Sequence, residues 1–279
     1  MIALSRKRVL PGFSLSLGIT LLYVSLILLL PMSSLVGQLS TLSWEQYWNI
    51  ITDPRHIASY KVTVGTALAA SLANAVFGLL LAWVLVRYEF PGKRILDALM
   101  DLPFALPTAV AGITLATLYS QNGAIGELLA PYGIEVAYTW VGIVLAMAFT
   151  SIPFVVRTVQ PVLEDLPGQI DEAALTLGAS NGYAFRRVIM PHIWPALVTG
   201  TGLAFARSLG EYGAVIFIAG NMPYKTEITS LMIAVRLEEY DYAGAAAIAS
   251  VVLAVSLFLL LAINIWQARF YKRLHGGRG

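Results

Sequence analysis

Arg207 and Glu211 stand four positions apart in the stretch FARSLGEYGAVIFIAG, where nearly every neighbour is apolar or small. On a helix that spacing puts both side chains on one face, within reach of each other. A charge carried alone into such a run is costly, so the two residues have two readings. They can form a neutralised structural pair. Alternatively Arg207 is released toward the path of an anion, where its planar fork of donors suits a tetrahedral oxyanion.

Other chemistries find no support. A phosphate-cradling loop needs Gly, four residues, then Gly-Lys-Ser/Thr. The nearest approach, Gly220 to Thr226, lacks the second glycine and is one residue short. ATP hydrolysis is therefore not expected on this chain. No Ser-His-Asp set or paired-carboxylate cleft stands out, so no catalytic residue is assigned. The chain has no cysteine, which removes disulfides and sulfur ligands, and His56, His192 and His275 lack ligand-like spacing, so no metal is expected. A net charge of +2, spread along the chain, leaves no footprint for nucleic acid.

The elements that carry these residues follow from composition. With 58% hydrophobic and 12% charged residues and a mean hydropathy of +0.74, the chain belongs in a bilayer. A hydrocarbon core about 30 Å thick requires roughly 20 apolar residues per helix. Six runs qualify: Phe13 to Val36, Val62 to Val86, Leu96 to Tyr119, Tyr138 to Val159, Ile193 to Ala219 and Ala243 to Ala268. The expectation is an all-α polytopic protein, with residues 1–12 and 269–279 as tails around a 13–268 transmembrane domain. The first run follows Arg6, Lys7 and Arg8 but is too long for a signal peptide, so it is read as a retained helix. Thirteen basic residues fall on the side of both termini, against Arg55, Lys61, Lys225 and Arg236 on the other, which predicts cytoplasmic termini. In the first outer loop, Trp44, Tyr47 and Trp48 fit an interfacial aromatic belt or pack on a neighbour.

Pro103 and Pro107 fall inside the third run, where each removes a backbone donor. In lipid the freed carbonyls need protein or a water-filled cavity, so this span is expected to face the interior of an assembly, as part of a path or as a packing kink. Asn74, Thr108, Ser208 and Tyr212 are further candidates for a polar path. Each has an interhelical hydrogen bond as its alternative.

The cytoplasmic segment at about 160–192 is longer than a simple connection needs. Asp171 and Glu172 suit a helix N-terminus, Ala173, Ala174 and Leu175 extend it, and Gly178 ends it or admits a close partner. A second helical stretch through Phe185, Val188 and Met190 is expected to end at Pro191. Glu172-Ala173-Ala174, three residues, Gly178, nine residues, Val188, one residue, then Met190-Pro191 resembles the EAA loop of ABC-importer permeases, with Val and Met standing where that family has Ile and Leu. The resemblance implies a type I ABC importer permease fold, and a loop that docks through Glu172 to Gly178 on a separate ATPase, which holds ATP and Mg. No cofactor is then expected in this chain.

DLPFALPTAVAG and GEYGAVIFIAGN are similar to stretches of the oxyanion branch of these permeases, serving sulfate, thiosulfate, molybdate and tungstate. LPGFSLSLGITLLYVSLILLLP and EITSLMIAVRLEEYDYAGAAAIAS resemble the T-type subunits of sulfate/thiosulfate importers in particular. The resemblance implies a bacterial inner-membrane complex with a related W-type permease, two copies of an ABC ATPase and a periplasmic sulfate- or thiosulfate-binding protein. Molybdate is a similar tetrahedral dianion, so charge alone does not separate the substrates. An ion-coupled secondary transporter is the remaining alternative. Its usual sign, repeated halves with paired broken helices, is not evident in the sequence.

Overall fold

The computed structural model describes residues 13–166 and 176–275, apart from the side chains of 14 and 267–275. Among these residues the regular structure is entirely helical, and five helices are long and apolar enough to cross a bilayer. The first span is α1 (Phe13–Val24), a π turn at Ser25–Leu29, and α2 (Leu30–Leu39). A short surface helix, α3 (Trp44–Ile51), leads to α4 (Pro54–Arg87), the second span. Asp53 caps α4 by accepting the backbone N–H groups of Arg55 at 2.8 Å and His56 at 3.4 Å, and Pro54 fits the first turn because no intrahelical donor is needed there.

The third span is not one helix. It is divided into α5 (Lys93–Met100), α6 (Leu102–Ala105) and α7 (Thr108–Tyr119). After the short α8 (Gly126–Leu129), the fourth span is α9 (Trp140–Glu164). The fifth comprises α10 (Asn181–Ala184), a π turn at Phe185–Ile189, and α11 (Met190–Leu209), followed by α12 (Val215–Ile218). Finally α13 (Thr229–Glu238) precedes α14 (Tyr242–His275), the sixth span.

Pro191 does not end the helical stretch that carries it, contrary to the expectation from sequence. The helix runs from Asn181 to Leu209 through a π turn placed just before the proline. A proline ring crowds the carbonyl four residues earlier, here that of Arg187 in the middle of the widened turn. Pro31 follows the π turn of the first span in the same way. In both places wider winding absorbs the missing donor and the helix continues.

The centre of the molecule is the trio α4, α9 and α11. In lipid, burying apolar side chains between helices brings little gain over leaving them among acyl chains, so close packing and hydrogen bonds hold the trio together. Its contact positions are accordingly small: Ala67, Ala70, Ala82, Ala146 and Ala204 are fully buried. At Gly200 a Cβ would lie 2.9 Å from Val155 Cα, so only glycine lets α11 approach α9 this closely. α14 packs beside α11 and α13, while the first span lies at the periphery against α14.

Candidate functional site

The residues singled out in the fifth span lie at a break. The run expected to be helical to Ala219 stops at Leu209, and the chain is irregular until α12. Gly210 and Gly213 are poor helix formers. The Glu211 carboxylate competes with the helix as well, its Oε1 accepting the Ala214 N–H at 3.0 Å. Glu211 is therefore not on the helical face that carries Arg207. The two still meet, Arg207 Nη1 lying 2.7 Å from Glu211 Oε2. Oε2 has no well-aligned hydrogen-bond donor, so this contact is one of charge proximity. The Glu211 side chain is 1% exposed and that of Arg207 34% exposed: the carboxylate is enclosed while part of the guanidinium stays open.

The third span breaks where its prolines predict. Leu106 is extended, at φ −83° and ψ 138°, as the residue before a proline should be, and Pro107 then caps α7. Pro103 is tolerated in the first turn of α6. The two broken spans meet. A Cβ on Gly112 would stand 2.3 Å from the Ala214 carbonyl oxygen, and one on Gly213 would stand 2.2 Å from Thr108 Oγ1. Thr108 thus packs directly on the segment that follows Glu211. Pro107 and Tyr212 are exposed, and Pro103, Thr108 and Arg207 are partly so.

Asn74 and Ser208 do not join this face. Asn74 Nδ2 donates to the Ala148 carbonyl at 3.0 Å and to Ser151 Oγ at 2.9 Å, and Ser208 Oγ donates to Ser151 Oγ at 3.2 Å. All three side chains are buried. They form the interhelical bonds that were the alternative reading, joining α4, α9 and α11 through Ser151.

A clamp that the sequence does not single out joins the third and fourth spans. On α9, Arg157 donates through Nε and Nη2 to both carboxylate oxygens of Asp101, at 2.8 and 2.7 Å. Its Nη1 reaches Asp97 Oδ1 at 2.6 Å, and Nη2 also reaches the Asp97 carbonyl at 2.8 Å. It ties the first piece of the third span, and the break after it, to the fourth. Two aspartates four residues apart at the edge of an apolar run were the available signal.

Of the loop between the fourth and fifth spans, Glu172, Ala173 and Ala174 lie outside the described residues. Gly178 has φ +83°, a left-handed conformation that suits glycine, and open space where a Cβ would stand. It helps line an open hollow of about 610 Å³ with Leu177, Ala179, Ser180, Tyr183 and Val188. Leu177 is 88% exposed there. Among the described residues no three His, Asp or Glu side chains gather to hold a metal.

Long apolar helices, with two of the runs broken against each other, define a polytopic α-helical membrane protein. The chain belongs to the family of binding-protein-dependent transport system inner membrane components, whose model matches residues 74–276. It is 63% identical over 276 residues to the sulfate transport system permease protein CysT of Salmonella typhimurium, covering 99% of this chain and 100% of that one. It is 64% identical over 276 residues to the protein of the same name from Escherichia coli, with the same coverage. A probable sulfate transport system permease protein of Nephroselmis olivacea is 52% identical, covering 92% of this chain and 90% of that one. Among solved structures, a bacterial transporter that imports the acidic polysaccharide alginate superposes with a TM-score of 0.75 at 16% identity, over 92% of this chain and 96% of that one. The same fold is found in the alginate transporter in complex with an alginate pentasaccharide-bound periplasmic protein, at a TM-score of 0.76 and 18% identity, over 93% and 95% of the two chains. Among the described residues the six-span all-α permease fold expected from sequence is observed, with the third span broken at its prolines and the fifth interrupted after Leu209. The relatives are transport permeases, and this chain is a permease subunit rather than an enzyme.

Proposed function

We propose that this chain is the transmembrane subunit through which sulfate or thiosulfate enters a bacterial cell, driven by ATP hydrolysis on a separate subunit. The near full-length identity to sulfate permeases carries the choice of substrate. A tetrahedral dianion is recognised by donors, and the partly open Arg207 guanidinium and the exposed Tyr212 are the candidate donors where the fifth span is interrupted. Pro103, Pro107 and Thr108 shape the neighbouring break. A related W-type permease supplies the opposite wall of the path, and a periplasmic sulfate- or thiosulfate-binding protein delivers the anion.

Two ATPase subunits, which bind ATP and Mg, dock on the cytoplasmic side. Glu172, Ala173, Ala174 and Gly178 form the coupling segment, with Leu177 as an apolar anchor beside Gly178 and Pro191 at the return to the membrane. Both termini are cytoplasmic. A reporter fused after Gly279 should then be cytoplasmic and one inserted near Asn122 periplasmic, and reversed labelling would invert the coupling assignment.

The substrate is tested by expressing the chain with its partner subunits in a strain lacking sulfate uptake and following labelled sulfate. Competition by unlabelled thiosulfate but not by molybdate is the expected result. Preferential competition by molybdate would move the chain to the other arm of the oxyanion branch.

A further inference from the structure

We infer that α3 is a lipid anchor, a surface helix whose Trp44 and Trp48 sit in the outer leaflet at the boundary between headgroups and acyl chains. The helix is locally self-sufficient. Ser43 and Gln46 form a reciprocal cap, the Gln46 N–H donating to Ser43 Oγ at 3.2 Å and the Ser43 N–H to Gln46 Oε1 at 2.9 Å. One face is tied to the bundle by the Tyr47 hydroxyl, 3.0 Å from Ser250 Oγ on α14. On the same side of the helix Trp44 and Trp48, one turn apart, flank Tyr47, the Trp44 ring stacking on Tyr47 at 5.8 Å and on Trp48 at 6.1 Å between centroids, and they remain 76% and 52% exposed.

Position decides what covers that face. Only residues 40–43 separate α3 from the end of the first span and only 52–53 from the start of α4, so the helix cannot rise away from the ends of the two spans. Ser250, its contact on α14, stands seven residues inside the apolar run that begins at Ala243, about 10 Å along the helix axis at 1.5 Å per residue. At that depth, what the bundle leaves uncovered beside Tyr47, the Trp44 and Trp48 rings, lies among lipids. Tryptophan, with an apolar body and one N–H, is the side chain that such a boundary favours. Glu45 and Asn49, the other exposed pair at this spacing, then lie toward water.

The absence of cysteine allows a direct test. Trp44→Cys, Trp48→Cys and Glu45→Cys, made singly in the full chain, each take one nitroxide label. The labelled chains are placed in vesicles of phosphatidylethanolamine and phosphatidylglycerol. Labels at 44 and 48 should be relaxed by oxygen and lose relaxation by a water-soluble nickel chelate, whereas the label at 45 should keep it. Equal nickel access at all three positions would make α3 an aqueous helix and overturn the anchor. Immobilisation of the labels at 44 and 48 on adding the periplasmic receptor or the second permease would assign the face to protein instead. If Trp48→Cys fails to insert, the label at 44 decides by itself.

Discussion

Arg207 Nη1 lies 2.7 Å from Glu211 Oε2 although the helix carrying Arg207 ends before Glu211 is reached. The division of labour within the pair follows. Glu211 is enclosed and holds the broken segment through the Ala214 N–H, whereas Arg207 remains partly open. Arg207→Gln should therefore assemble and support ATP hydrolysis but lose sulfate uptake, and the double variant with Glu211→Gln should stay defective. Recovery of uptake in the double variant would make the pair structural only. Full uptake by assembled Arg207→Gln would remove Arg207 from the anion path.

At Gly178 the backbone is left-handed, and a residue with a Cβ in that conformation is disfavoured by about 1–2 kcal/mol. Gly178→Leu should insert normally yet uncouple ATP hydrolysis from uptake. Gly178→Asn, which tolerates the conformation better, should keep most of the coupling. Comparing hydrolysis with uptake in reconstituted vesicles separates the two variants, and equal behaviour would sever backbone conformation from coupling.

The bonds of Asn74 predict a loss of stability rather than of transport. Asn74→Leu removes two interhelical hydrogen bonds, each worth about 0.6 kcal/mol in a membrane. The melting temperature in detergent should fall modestly, while uptake per assembled transporter should hold. A drop in uptake per assembled transporter would return Asn74 to the path.

Arg157→Met would leave Asp97 and Asp101 without their shared cation. Because all three side chains are partly exposed, the expected cost is about 1 kcal/mol, and added salt should narrow the gap from the parent protein. Thermal unfolding at low and high ionic strength measures it. A gap insensitive to salt would mean that the clamp acts through the packing of the arginine stem.

The six spans were legible in the sequence because a bilayer sets the same length and polarity requirement on each segment independently of the others. The break at Pro107 was legible too, since a missing N–H is a property of the residue itself. Other outcomes depended on partners far along the chain. At Pro191 a proline can end a helix or follow a wider turn, and residue type alone does not choose between the two. Glu211 left the helix because its side chain found the Ala214 N–H. Asn74 found Ser151, 77 residues away, and Arg157 found Asp97 and Asp101 across two spans. Sequence alone determined which segments enter lipid and which polar residues must be satisfied there. Only the tertiary structure decided by whom, because in lipid a polar group takes the nearest protein partner, and nearness is set by how the helices pack.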